Sequence, residues 1–248
     1  METSDFFSGM TGAIINAAGI VVGGVWGLSA KKPIQSSSQM ALKIVIGVFG
    51  IWLGVKLAWS GINGSLAQTA KELGIVVLGM TLGKLAGKLC RFQKLSNSVG
   101  QYAGAVLAAP PSKEPFSASF TVATALFCVG PLALLASLHE GLTGFSPVFL
   151  VKAATDGLAT YAFCTTLGWG AIASAIPVLA LEGALIRGGQ LLEPFLRHQP
   201  KPLIDAINTV DGLLIFCVAM IILELKKIEV ADYYPSLVFT PLLIWWLW

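Results

Sequence analysis

The sequence predicts an all-α, polytopic transmembrane helix bundle, and three observations carry that prediction. Apolar residues make up 55% of the chain and charged residues only 12%, about half the charged share of a soluble domain. Mean hydropathy is +0.78. The apolar residues fall in runs of roughly 17 to 25, the length that spans bilayer hydrocarbon as a helix. The excess of 16 basic over 13 acidic residues is small, and no basic stripe interleaved with aromatics occurs, so nucleic acid is not an expected partner.

About eight runs qualify as spans by this measure. In order they are Thr11 to Leu28, Met40 to Trp59, Leu73 to Leu89, Phe120 to Leu138, Val148 to Leu167, Gly170 to Leu185, Leu203 to Leu223 and Tyr234 to Leu247. Only Gly168-Trp169 separates the fifth from the sixth, so these two form either a hairpin or one broken, re-entrant helix, and the count is then about seven.

The first run lacks the basic flank and small-residue cleavage site of a signal peptide, so it reads as a retained anchor. Its tail carries Glu2 and Asp5 and no base. Lys31 and Lys32 follow span one, Lys84, Lys88, Arg91 and Lys94 close span three, and Lys226 and Lys227 close span seven. The positive-inside rule puts those ends in the cytoplasm and the N-terminus outside it. Lys71, Arg187, Arg197 and Lys201 run against this orientation. Trp245, Trp246 and Trp248 suit a headgroup belt. Cys90, Cys128, Cys164 and Cys217 have no paired spacing and read as reduced packing residues.

The chain divides into residues 1–90, a cytoplasmic amphipathic segment and linker at 91–117, a central hairpin at 118–168, and residues 169–248. Gly12-Ala-Ile-Ile-Asn16-Ala-Ala-Gly19 resembles Gly170-Ala-Ile-Ala-Ser174-Ala-Ile-Pro177, and the ungapped register places Gly47, Gly50 and Gly54 opposite Asp205, Asn208 and Gly212. One residue out of that register, Thr81 faces Thr240. Spans one to three thus read as a repeat of spans six to eight. An odd number of crossings separates the copies, which inverts one relative to the other, a plan that recurs in secondary transporters. Chance similarity among small and aliphatic residues is the plainer explanation.

Several segments resemble one bacterial family. They are Phe127-Cys-Val-Gly130, Ser137-Leu-His-Glu-Gly-Leu-Thr-Gly144, Lys152-Ala-Ala-Thr-Asp156-Gly157, Thr166-Leu-Gly168, Ser174-Ala, Ile221-Ile-Leu-Glu-Leu-Lys-Lys-Ile-Glu-Val230 and Pro235-Ser-Leu-Val-Phe-Thr-Pro241-Leu, together with Gly12-Ala-Ile-Ile-Asn16 through Gly23-Gly24. The chain is identified by these as similar to the domain of unknown function 554 family, the YqgA/YdfK-like proteins of the bacterial inner membrane. Phe145 stands where that family commonly has an acidic residue, and Asp211-Gly212 where it commonly has Gly-Gly. The resemblance implies an inner-membrane helical protein and leaves its activity open.

An ionisable group at bilayer depth costs at least about 2.5 kcal/mol, so such residues usually face a bundle interior or a watery cavity. Asp156 lies roughly 12 Å down span five at 1.5 Å per residue, with Lys152 one turn earlier on the same face. Their pairing as a simple structural lock is the plain alternative. Asp205, Asn208 and Asp211 form a polar stripe on span seven, although an acidic residue at Asp205 also suits a helix start. Glu182 follows Pro177, whose missing N–H frees a carbonyl; pairing with Arg187 is the duller reading. Asn16 and Ser174 occupy matching repeat positions and serve either as ligand contacts or as interhelical glue.

Enzymatic motifs are lacking. His139 and His198, the two histidines, read as residues of different loops and form no HExxH, and no Walker loop occurs, so neither an enzyme nor a cofactor or metal is expected. The expected function is a transporter or channel for a small solute or cation, with proton or cation coupling. Asp156, Glu182 and Asp211 would hold the charge, and Asn16 and Ser174 would orient the substrate. The competing expectation is a membrane scaffold or regulator recruiting cytoplasmic partners through 91–115. Small-xxx-small pairs such as Gly50/Gly54 would also permit a homodimer.

Overall fold

The structure, a computed structural model, describes residues 9–30, 34–62, 65–108, 115–198 and 203–247. Glu2, Asp5, Lys31, Lys32, the linker residues 109–114, Lys201 and Trp248 lie outside the described residues. No strand occurs among the described residues. The helices are α1 (Thr11–Ser29), α2 (Ser36–Ser60), α3 (Leu66–Cys90), α4 (Phe92–Ala108), α5 (Pro115–Val129), α6 (Pro131–Thr143), α7 (Val148–Thr166), α8 (Gly170–Ala173), α9 (Ala175–Arg197), α10 (Leu203–Ile222) and α11 (Ser236–Leu247), with a 3₁₀ turn at Val230–Tyr233.

Among the described residues, five helices are long and apolar enough to cross a membrane: α1, α2, α3, the continuous stretch Gly170–Arg197, and α10. The pair α5 and α6, bent by 54°, makes a sixth if the two form one span. Two expected spans fall short of that test for different reasons. α7 has 19 residues, but Lys152, Asp156 and four threonines dilute its apolar run. α11 has 12 residues, about 18 Å at 1.5 Å per residue, against hydrocarbon of about 30 Å.

Of the two alternatives for spans five and six, the chain takes the hairpin. Gly168 at φ 96° turns the chain, a conformation that glycine adopts without steric cost. α7 then runs parallel to α1, as the pairs Gly19/Ala153, Gly23/Gly157 and Gly27/Tyr161 show, whereas Gly24 packs on Ile172 and Asn16 reaches Glu182 in the opposite sense. The break belongs to span four. Pro131 has no N–H and its ring crowds the preceding turn, so α5 stops at Val129 and α6 restarts with Gly130 as its N-cap.

The chain forms two compact units, residues 1–46 with 96–189 and residues 47–95 with 190–248. In the first, α1 and α7 approach so closely that a Cβ on Gly23 would sit 2.0 Å from the Gly157 carbonyl oxygen. Ile20, Val122, Ala123, Phe127, Phe163, Ala171 and Val178 form its apolar core. In the second unit, α2 runs antiparallel to α10 through Gly47/Leu223, Gly50/Ala219 and Gly54/Gly212. There α3 also runs antiparallel to α11, with Gly79 on Thr240 and Gly83 on Ser236. α3 begins with a capping box, Ser65 and Gln68 bonding each other's backbone N–H, which satisfies two of the orphan donors of a helix start. Gln93 closes this unit, its N–H donating to Asp232 Oδ1 (2.8 Å) and its side chain accepting from Ala231 N–H (3.0 Å).

Candidate functional site

The first unit gathers four of the residues singled out from sequence into one buried cluster. Lys152 on α7 is 1% exposed, Asp156 on the same helix 8%, and Asn16 on α1 and Glu182 on α9 are both 0%. The Lys152 ammonium pairs with Asp156 Oδ2 one helical turn away and with Glu182 Oε1 at 3.2 Å. The Asn16 amide donates to the same two oxygens, at 3.2 Å to Asp156 and 2.9 Å to Glu182. One nitrogen from each of two helices thus bridges one oxygen from each of two carboxylates. Asn16 Oδ1 and Glu182 Oε2 are buried and have no hydrogen-bond partner.

A fifth group was not legible as a side chain. Lys152 Nζ also donates to the Phe127 carbonyl at 3.2 Å. In an unbroken α-helix that carbonyl would accept from the N–H four residues on, and the residue there is Pro131, which has none. The proline that bends span four therefore exposes a carbonyl, and the ammonium satisfies it. The sequence expectation placed this logic at Pro177 beside Glu182. Pro177 instead falls in the first turn of α9, where N–H groups are orphaned anyway, and Glu182 lies about one and a half turns beyond. The readable signal was the spacing Phe127 to Pro131.

Charge is unevenly matched in the cluster. Two carboxylates share one ammonium, and among the described residues Lys152 is the only buried lysine or arginine. Cys128, half-buried at the end of α5, lies within electrostatic reach of all three charged groups. The simple Lys152–Asp156 lock exists but extends across α5, α7 and α9. Glu182 pairs with Lys152, and the duller pairing with Arg187 is not among its bonds.

Other expected residues make none of the hydrogen bonds or ion pairs of this cluster. Ser174 is fully buried in the turn between α8 and α9 and donates to the Ala171 carbonyl at 2.6 Å. Asp205, Asn208 and Asp211 belong to the second unit. Asp205 lies in the first turn of α10 and its carbonyl accepts from Thr209 (2.9 Å); Asp211 is 1% exposed. Glu72, 7% exposed on α3, lines a cavity of about 10 Å³ with Gly61, Val76, Ala206 and Thr209; its position just ahead of the expected third span gave no sign of burial.

His139 and Glu140 lie in α6, not in a loop. Glu140, 2% exposed, accepts from Gly12 N–H with both oxygens (2.8 and 3.1 Å) and from Ser146 N–H (3.3 Å). α1 begins after Met10 with no side-chain cap of its own, so α6 supplies the acceptor that its first turn lacks.

Comparison with known proteins agrees with this picture of a membrane protein. The chain is 26% identical over 235 residues to "Uncharacterized membrane protein YdfK" of Bacillus subtilis (strain 168), covering 95% of this chain and 96% of that protein. It is 24% identical over 229 residues to "Uncharacterized protein YqgA" of Escherichia coli (strain K12), covering 91% and 92%. No solved structure matches. The family model described as "Protein of unknown function (DUF554)" matches residues 11–245, nearly the whole described chain, and the protein belongs to that family.

Proposed function

We propose that this membrane protein is a transporter for a small solute or cation, not an enzyme, and that Asn16, Lys152, Asp156 and Glu182 form its coupling site. One observation carries the reading: two carboxylates and one ammonium are buried together. Leaving a buried charge uncompensated costs several kcal/mol, so the pair needs a proton or a further cation. A group that must gain and lose a cation at bilayer depth is what coupled transport requires. Helix ends broken at this depth commonly present carbonyls to cations in transporters, and the Phe127 carbonyl is so presented.

Inverted repeats fit the same reading. Gly54 and Gly212 are equivalent under the register that aligns Asn16 with Ser174, and they touch reciprocally. A Cβ on Gly54 would meet the Gly212 carbonyl at 2.8 Å, and one on Gly212 the Gly54 carbonyl at 2.6 Å. Equivalent residues of inverted copies meet in this way where the helices cross their pseudo-two-fold axis. An inner-membrane location and an N-terminus outside the cytoplasm complete the proposal. The test is flux in proteoliposomes: Asp156→Asn and Glu182→Gln are each expected to lower it by at least tenfold, and full flux in both variants would overturn the assignment.

A second reading has its own support. α4 buries only Ala103 and leaves Leu95 (63%), Tyr102 (48%) and Leu107 (44%) exposed, a surface suited to recruiting a cytoplasmic partner. It predicts that Tyr102→Ala abolishes a phenotype that Asp156→Asn leaves intact.

A further inference from the structure

We propose that a groove between α3 and the 3₁₀ turn at Val230–Tyr233 seats the headgroup of an anionic phospholipid, with Lys84 on its phosphate. Two faces of α3 create it. Gly79, Gly83 and Gly87 recur every four residues on one face, where a Cβ would meet backbone atoms of Thr240, Ser236 and Asp232 at 2.0 to 2.9 Å. That close approach brings the turn against α3 and lays the Tyr233 ring beside Lys84, whose Nζ stands 5.0 Å from the ring centroid. The adjoining face carries Val77, Met80, Thr81, Lys84 and Leu85 at helical spacing. With Tyr233 they line an open groove of about 310 Å³. The Thr81 hydroxyl is satisfied within its own helix by the Val77 carbonyl (2.7 Å). Val77 (63%) and Leu85 (56%) are exposed on a helix long and apolar enough to span a membrane, so acyl chains are the solvent of this wall.

Charge complementarity selects the occupant. Lys84 lies six residues before the end of α3 at Cys90, roughly 9 Å at 1.5 Å per residue, a depth from which a lysine stem follows apolar surface to the headgroups. Among the described residues no ion pair joins Lys84 to a carboxylate. The carboxylate next to Tyr233, Asp232, is buried and accepts from the Gln93 N–H (2.8 Å). Lys88 follows one turn after Lys84, then Arg91 and Lys94, and no Asp or Glu occurs between Glu72 and Glu114. Beyond Glu72, α3 therefore offers a phosphate bases and no acid. Basic pockets beside membrane helices hold anionic headgroups, whereas the choline or ethanolamine of a zwitterionic lipid is repelled by the same lysines. Lys56 also lies over an aromatic ring at 5.0 Å, but that ring, Trp52, is one turn away on its own helix, which makes Lys56 the control.

The experiment uses the full chain in detergent. Phosphatidylglycerol and phosphatidylcholine are added as an equimolar mixture and their retention is measured by native mass spectrometry, with glycerol phosphate as a competing free anion. Phosphatidylglycerol is expected to be retained in preference. Lys84→Gln should weaken its retention by about fivefold, the worth of one lysine near an anionic surface, while Lys56→Gln leaves it unchanged. Thr81→Trp keeps every charge but fills the groove and should also abolish the preference, so the inference stays testable if one variant fails to fold. Equal retention of the two lipids, an undiminished preference in Lys84→Gln or Thr81→Trp, or an equal loss in Lys56→Gln overturns the inference. Displacement of the lipid by glycerol phosphate at matched concentration overturns it too, by marking the groove as a site for a free anion. None of these readouts involves flux, so no outcome bears on the transport reading.

Discussion

The two units of the molecule use the same packing and bury different chemistry. Each brings helices together on glycine, at Gly19, Gly23 and Gly27 of α1 in the first and at Gly50, Gly54, Gly79 and Gly83 in the second. Both also bury carboxylates, Asp156, Glu182 and Glu140 in one and Glu72, Asp211 and Asp232 in the other. Among the described residues, only the first unit buries a lysine with them. Close helix approach therefore explains the architecture of both units, whereas a cross-helix network of unequal charge distinguishes one. Tight packing is common to membrane bundles; a shared ammonium with a spare carboxylate is not explained by packing.

Removing the base should break that distinction most severely. Lys152→Met leaves Asp156, Glu182 and the Phe127 carbonyl without a cation, and truncating one side of a buried ion pair costs about 3–5 kcal/mol. Thermal unfolding in detergent should show the largest loss of any single substitution in the cluster. The packing shared by the two units should respond alike in both: Gly23→Ala and Gly54→Ala each force backbone apart, at about 1–3 kcal/mol, and a twofold or larger disparity in their melting shifts would argue against a common packing rule. Glu140→Gln keeps the shape but weakens the cap of α1, with an expected loss of about 1 kcal/mol. Smallest is Gly104→Ala on α4, where nothing lies within 4 Å of the new Cβ; the melting temperature should hold or rise, by an amount equivalent to about 0.5–1 kcal/mol.

Fold class was legible because bilayer physics writes itself into composition and run length. Span boundaries were less so, since α5 and α6 read as one apolar run and only Pro131 marks the bend. In the site, Lys152 and Asp156 could be paired from their one-turn spacing, and Glu182 and Asn16 could be suspected from depth alone. That all four meet is a tertiary fact. The Phe127 carbonyl was missed because residue-by-residue reading weighs side chains and passes over backbone acceptors. Ser174 matched Asn16 by repeat register, yet a local bond to Ala171 satisfies its hydroxyl, a common fate of Ser in helices. Glu140 entered only as part of the family-like segment Ser137 to Gly144, and beside a His139 read in a loop it could not be recognised as the cap of α1.

The most direct test of the difference between the units sets two isosteric changes side by side. Asp156→Asn and Asp211→Asn each neutralise one deeply buried carboxylate, one per unit, and proteoliposome flux is measured for both at equal reconstituted protein. The account predicts at least a tenfold loss for Asp156→Asn and flux within twofold of wild type for Asp211→Asn. Retained flux in the first with loss in the second would contradict it.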